Sequence, residues 1–510
     1  MIIKFTQNQR SKLGLFLGPI LFVIILLVPI GEGLPFEARI VLATTIWMAS
    51  WWLTEAIPIY VTALLPLVIF PLLHITELGE ISANYADRVV FLFLGGFLLA
   101  KAVEKSNLHK RFALNILKIF GTNPKYIVAA FMVVTWFLSA WMSNTATTML
   151  MLPIATAVIF QFGNTVDQKR FGVCLMLSIA YSASIGGMAT LIGTPPNAIF
   201  ASLSKSMLNI DISFGQWLLV GLPISGISLV VAWMYMVHVG AKITHIKSII
   251  KEKSLIIKQI SELGTISRDE RIVAGIFIAT AIAWITRGLI WKDFLPMIDD
   301  STIVIASAIS LFLIPSTIYS RHRKNKDDND DEDDDNKGNY NYDDRDKNNS
   351  NNKLLDWDTA VKIPWGVLLL IGGGLALANA FTITGLDEWI AQQLNFLSGM
   401  HYIVIILVIV SVAIFSSEII SNTATAALLI PISASLAISL NIDPLLIMVP
   451  ITIATSYGFV MPVGTPPNAI VFASGYVTAA KMARAGLPLD IIGIVMVTLL
   501  TSIVVPFVLK

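Results

Sequence analysis

One passage occurs twice in this chain, 278 residues apart, and each time it interrupts a long apolar stretch. Ser143-Asn144-Thr145-Ala146-Thr147, followed by Pro153, returns as Ser421-Asn422-Thr423-Ala424-Thr425, followed by Pro431. A second passage, Gly193-Thr194-Pro195-Pro196-Asn197-Ala198, returns as Gly464-Thr465-Pro466-Pro467-Asn468-Ala469. Proline removes an amide donor and disfavours helical geometry in the residue before it. Thr194-Pro195-Pro196 and Thr465-Pro466-Pro467 are therefore expected to leave the helix. Irregular backbone at membrane depth is tolerated only where it is buried in protein or lines a cavity. Matched interruptions in two halves of a chain are the best sequence pointer to a transporter binding site at mid-membrane.

Composition supports a membrane setting. The chain is 55% hydrophobic and 14% charged, with a mean hydropathy of +0.74, whereas soluble domains carry about 25% charged residues. The fold class expected is an all-α polytopic membrane protein. The net charge of +1 hides a skew: residues 324–353 hold 11 of the 34 acidic residues and 6 of the 35 basic ones. That stretch of Asp, Asn and Lys cannot bury enough apolar surface to fold, so it reads as a disordered cytoplasmic loop. Cys174 is the only cysteine, which excludes an intrachain disulfide. The first apolar stretch lacks a small-residue cleavage site and reads as a retained helix. There is no DNA-binding motif, zinc-ligand spacing or phosphate-binding glycine loop, so no nucleic-acid partner is expected.

A span needs about 20 apolar residues. Candidates are 13–30, 38–57, 59–73, 88–104, 216–238, 272–291, 301–319, 364–380 and 485–508. The stretches 126–161 and 402–440 each divide at Ser-Asn-Thr into arms too short to span. They read as re-entrant hairpins with that tripeptide at the tip. The stretches 171–205 and 445–476 read as helices broken at Gly-Thr-Pro-Pro. The count is about eleven spans plus two hairpins. Lys4, Arg10 and Lys12, the cluster Lys101 to Lys118, the loop 238–272, Arg321 to Lys324, and Lys481 with Arg484 all fall on one side if the N-terminus is cytoplasmic. The C-terminus is then external. Leu94-Gly95-Gly96 and Gly372-Gly373-Gly374 are again 278 residues apart, counted from Leu94 to Gly372. The charge rule runs the two copies in opposite directions, so the repeat is inverted. The domains expected are scaffold helices at 1–87, a first repeat at 88–240, a cytoplasmic linker with two helices at 241–323, the acidic loop at 324–353, and a second repeat at 354–510.

Hydroxyls, amides and freed carbonyls offer neutral oxygen ligands, which suit a hard, weakly bound monovalent cation. Helix N-termini after the breaks present amides that favour an anion. Two facing half-sites of this kind would hold two cations beside one anion, with no buried arginine required. The glycine pairs read as close helix packing. Glu55, before Pro58, reads as orienting a helix end, and Glu418 as a support for the second hairpin. The tryptophans, among them Trp51 and Trp52, read as interfacial anchors.

Trp51-Trp52-Leu53-Thr54-Glu55-Ala56-Ile57-Pro58, Pro364-Trp365-Gly366 and the two duplicated passages resemble the divalent anion:sodium symporter family, nearest to its bacterial sodium/dicarboxylate branch. The resemblance covers residues 13–508 apart from the acidic loop. It implies a homodimer in the bilayer whose protomers each carry a scaffold and a moving transport domain, an elevator. It implies carboxylate contacts from Ser143, Asn144, Thr145, Ser421, Asn422 and Thr423, with Thr465 and Pro466 alongside. It implies one sodium (Na+) site at Ser139, Ser143, Asn144 and Gly193 and another at Ser417, Asn422 and Gly464. The activity implied is sodium-coupled uptake of a C4-dicarboxylate such as succinate, malate or fumarate. The alternatives are a dicarboxylate exchanger and a sodium-coupled citrate or sulfate transporter. No catalytic residue is expected: the membrane segments hold no His-Glu-x-x-His motif or catalytic dyad.

Overall fold

The computed structural model describes residues 7–28, 33–119, 123–161, 166–246, 254–291, 294–316, 353–393, 397 and 399–509. The acidic loop lies outside the described residues except for Lys353. The described chain is helical, and its only β-type pairing is one isolated bridge between Pro315 and Lys353.

Local signals set the helix starts. Asp87 accepts from Val89 N and begins Arg88–Lys105. Ser213 and Gln216 form a reciprocal capping box at Phe214–Tyr235, and Ser267 with Glu270 does so at Arg268–Thr286. Six helices among the described residues are long and apolar enough to cross a membrane. This is fewer than the spans read from the sequence. The stretch 59–73 divides into Ile59–Thr62 and Leu65–Leu72, and the stretch 301–319 yields the shorter Asp300–Leu313. Helices such as Arg88–Lys105 carry charges at both ends, which shortens their apolar run.

Each Ser-Asn-Thr passage joins two helices into a hairpin. The first hairpin is Pro124–Ser139 and Asn144–Phe160; the second is Tyr402–Ser417 and Asn422–Ser439. The broken helices follow: Val166–Gly187 with Pro195–Leu208, and Leu445–Ala454 with Pro466–Ala473. The two repeats interlock. Pro195–Leu208 packs on the second hairpin's Asn422–Ser439, while Pro466–Ala473 packs on Asn144–Phe160 and Val166–Gly187. The Tyr181 hydroxyl donates to the Phe459 carbonyl at 3.1 Å, joining the two halves through a fully buried bond.

The prolines behave differently from expectation. Thr194 and Thr465 have extended backbone and occupy N-cap positions, while the prolines after them form the first turn of the next helix. The missing amide of a first-turn proline has no intrahelical role to lose, so it starts a helix at little cost. The break therefore lies before the prolines, at 188–194 and 455–465.

The glycine pairs pack closely. A Cβ on Gly95 would lie 2.5 Å from Val304 Cγ1, and one on Gly373 would lie 2.3 Å from the Ala63 carbonyl oxygen. Glu55 is the left-handed C-cap of Phe36–Thr54. Arg111 donates to Glu270 at 2.6 Å. Burial acts to raise the Glu270 carboxyl, but bonds from Arg111 and Ser267 outweigh it and hold the group below the usual carboxylate range.

Candidate functional site

Both hairpin tips and both proline turns face one cavity of roughly 470 Å3. Ser143, Asn144 and Thr145 line it from the first hairpin, and Ser421, Asn422 and Thr423 from the second. Gly193, Thr194 and Pro195 line it from the first broken helix, and Gly464, Thr465 and Pro466 from the second. Four helix N-termini thus open into the same space: Asn144, Pro195, Asn422 and Pro466. Their dipoles turn positive ends toward the cavity without a buried cationic side chain, and free first-turn amides come from the two hairpin tips alone, because Pro195-Pro196 and Pro466-Pro467 carry no N–H. The charged lining residues are Lys101, Glu104 and Lys362, and Lys101 is hydrogen-bonded to Glu104.

Local chemistry builds the tips. Ser143 caps its helix by accepting from Ala146 N at 3.2 Å, and Ser421 does so from Ala424 N at 3.3 Å. These caps fix the tripeptide at the point where the chain reverses.

Ser139 and Ser417 do not line the cavity. Both are fully buried behind the tips, four residues earlier. Ser139 Oγ lies 2.6 Å from Asn144 Oδ1 and 2.7 Å from the Ala183 carbonyl oxygen. One hydroxyl proton cannot serve two acceptors, so oxygen ligands crowd this point. Gly187 and Gly193 complete it: a Cβ on Gly193 would meet the Gly187 carbonyl oxygen at 2.5 Å, and one on Gly187 would meet Asn144 Oδ1 at 2.8 Å. In the second half Ser417 donates back to Ala413 O at 2.9 Å, and Asn422 Oδ1 is buried with no hydrogen-bond partner. A buried orphan carbonyl of this kind costs about 1–3 kcal/mol unless a donor or cation meets it. The oxygens of both half-sites therefore fit a monovalent cation.

One feature escaped the sequence reading and a second was read without its partners. Asn197 Nδ2 donates to Gly187 O (3.1 Å) and Thr190 O (2.7 Å), while Asn468 Nδ2 donates to Gly458 O (2.7 Å) and Met461 O (3.0 Å). The same asparagine in each repeat ties down the carbonyls that the break releases. Its duplication within Gly-Thr-Pro-Pro-Asn was the available signal. Glu418 is the other. Its Oε1 accepts from Val460 N at 2.8 Å and its Oε2 from Met461 N at 2.7 Å, so it braces the second unwound segment. The sequence reading made Glu418 a support for the second hairpin; its bonds go to the unwound segment instead.

Paired broken helices around one cavity that gathers both polar tips, in an apolar helical chain, define a multi-pass membrane transporter rather than an enzyme. The chain belongs to the family described as the sodium:sulfate symporter transmembrane region, which matches residues 9–508. It is 40% identical over 513 residues to the sodium-dependent dicarboxylate transporter SdcS of Staphylococcus saprophyticus, covering 99% of this chain and 93% of that protein. The SdcS of Staphylococcus aureus strain bovine RF122 is 39% identical over 521 residues, covering 99% and 94%. Two solved transporters share the fold. The Alcanivorax borkumensis YdaH transporter superposes with a TM-score of 0.57 at 12% identity, over 91% of this chain and 98% of that one. Neisseria gonorrhoeae MtrF, described as illuminating a class of antimetabolite efflux pumps, gives 0.54 at 11%, over 98% and 96%. At those identities the likeness concerns the fold alone.

Proposed function

We propose that this protein imports a C4-dicarboxylate such as succinate, malate or fumarate by symport with sodium. The observation that carries the reading is the single cavity lined by both Ser-Asn-Thr tips and both Gly-Thr-Pro turns. Helix N-termini and the tip amides supply donors for two carboxylates. Ser139, Ser143, Asn144 and Gly193 supply oxygens for one sodium ion; Ser417, Asn422 and Gly464 supply them for the other. Two cations offset the dianion, which removes the need for an arginine in the site. The names of the 40% and 39% identical relatives support the same substrate class and the same ion. The decisive experiment is proteoliposome uptake of labelled succinate, with sodium replaced by choline and with unlabelled malate, citrate and sulfate as competitors. Succinate uptake that persists in choline would favour the exchanger. Competition by citrate or sulfate, with none by malate, would reassign the substrate.

In the same proposal the cavity opens toward the cytoplasm. It reaches Lys101 and Lys362, which lie on the Lys/Arg-rich side. The first hairpin enters from that side and the second from outside, within about eleven spans. The interlocked hairpins and broken helices form the moving unit of an elevator in a homodimer, and residues 1–87 belong to the scaffold. Cysteines introduced as Thr122→Cys and Gly399→Cys in a Cys174→Ser background test the sidedness. An impermeant thiol reagent outside the cell is expected to label position 399 and spare 122; labelling of both would break the inversion.

A further inference from the structure

Three lysines stand at the Lys/Arg-rich end of the cavity, and two of them have a counter-charge. Lys101 and Lys105 lie one turn apart near the end of Arg88–Lys105. Lys101 is bonded to Glu104. Lys105 donates to Asp356 Oδ2 at 2.5 Å and to the Lys353 carbonyl oxygen at 2.7 Å. The third, Lys362, takes part in no ion pair among the described residues. Lys101, Glu104 and Lys362 line the cavity, and Lys105 does not. Lys101 and Glu104 cancel, so the charged lining carries one net positive charge, that of Lys362.

The fold anchors the backbone under this lysine. Asp356, held by Lys105, caps the short helix Trp357–Ala360 by accepting from Thr359 N at 2.7 Å. The turn then continues: Val361 N donates to Trp357 O at 2.9 Å, and Lys362 N to Thr359 O at 3.2 Å. Ala360 and Ile363 are buried on either side, and the Trp365 indole donates to Val361 O at 3.0 Å. Lys362 itself is exposed. Local helix chemistry does not account for a cation there. Helix Trp365–Thr384 begins three residues later, and a helix N-terminus favours an anion over a lysine. The positive-inside rule accounts for the side of the membrane on which Lys362 stands. It does not account for an uncompensated charge on the wall of this cavity.

We propose that Lys362 is a peripheral anion subsite at the cytoplasmic mouth of the cavity, meeting one carboxylate of the dicarboxylate as it passes between the Ser-Asn-Thr tips and the cytoplasm. A lysine ammonium is a compact, hydrated charge on a flexible stem, suited to a passing carboxylate rather than to a fixed bidentate grip. In a wet mouth one such charge raises the local concentration of a dianion several-fold, and salt screens the effect. Glu104 sets the strength of the mouth: by cancelling Lys101 it leaves one attracting charge instead of two, so the dianion is drawn in without being held. The inference rests on the reading of the cavity as a dicarboxylate site open to the cytoplasm.

The test compares the two faces of the membrane. Right-side-out vesicles present the external face to labelled succinate, and everted vesicles present the cytoplasmic face, both at fixed sodium. In Lys362→Gln the succinate KM at the cytoplasmic face is expected to rise about 3- to 5-fold, as for loss of one unit charge acting on a dianion across water. The KM at the external face is expected to stay within about twofold of the parent. Lys362→Arg is expected to keep both parental values. The rise in Lys362→Gln is expected to vanish when choline chloride brings the ionic strength to about 0.5 M. Glu104→Gln frees Lys101 and is expected to lower the cytoplasmic KM by a similar factor. A merely structural role would move both faces and persist in salt. An unchanged cytoplasmic KM in a folded Lys362→Gln overturns the proposal, as does a rise that is equal at the two faces or insensitive to salt. A shift confined to the external face overturns both the subsite and the cytoplasmic opening. If Lys362→Gln does not fold, the sign and salt dependence of Glu104→Gln decide. Parent uptake that persists without sodium sinks the symport reading alone, and the comparison of faces still decides the role of Lys362.

Discussion

The two half-sites are written in the same residues and built at different tightness. In the first, the helix runs to Gly187 and the break is confined to 188–194. In the second, the helix ends at Ala454 and the chain stays irregular through 455–465. The first half-site is closed by direct contact: Asn144 Oδ1 meets Ser139, and Gly187 has no room for a side chain beside it. The second is open by comparison. Asn422 Oδ1 has no partner, and a Cβ on Gly458 would lie 3.9 Å from it. The longer unwound segment is braced by Glu418, whose place 278 residues earlier is taken by Ala140. There the carbonyl of Ala140 simply accepts the Thr190 hydroxyl. The passage is duplicated, but only the second copy has an anionic brace. If the proposed cation sites hold, the looser half is the one whose shape would depend on its occupant.

The largest effect expected is common to both halves. Asn144→Asp and Asn422→Asp should each lower succinate uptake by about 100-fold or more while surface expression holds. Aspartate keeps the oxygen acceptor, loses the amide donor and sets a like charge against the dianion, which costs several kcal/mol. Parent-rate uptake by either variant would remove that half from the site.

The glycines separate the halves. Gly187→Ala should abolish uptake, because the new methyl falls 2.8 Å from Asn144 Oδ1. Gly458→Ala should retain most uptake, since its nearest contact, Thr465 Cγ2 at 3.4 Å, is an ordinary one. Equal losses in transport assays would show the two halves to be equally tight.

A smaller difference should appear in the unliganded protein. Asn144→Ala deletes a made hydrogen bond and should cost about 1 kcal/mol of stability in sodium-free detergent. Asn422→Ala deletes an orphan acceptor and should cost nothing or stabilise slightly. Thermal melts of the two variants check the order, and a reversal would mean the second half-site is pre-formed.

Much of this site was legible in the chain because duplication removes coincidence. Ser143 and Ser421 are found as hairpin tips, with arms Pro124–Ser139 and Tyr402–Ser417 of 16 residues each. The residues read as substrate contacts all line one cavity. Other features depend on three-dimensional neighbours. Pro195 and Pro466 look like helix breakers in sequence, yet each starts a helix once the threonine before it is extended. Ser139 and Ser417 sit behind the cavity rather than on it, a depth that spacing alone does not reveal. Charged helix ends blurred the count of spans, as at Arg88–Lys105.

The central claim is that two unequal cation half-sites flank one dianion, and sodium titration of labelled-succinate binding to the purified protein tests it most directly. The account predicts a steeper than first-order dependence on sodium for the parent protein, falling toward first order in Asn422→Ala, with no binding when choline replaces sodium. A first-order dependence in the parent, or binding that is the same in choline, would contradict it.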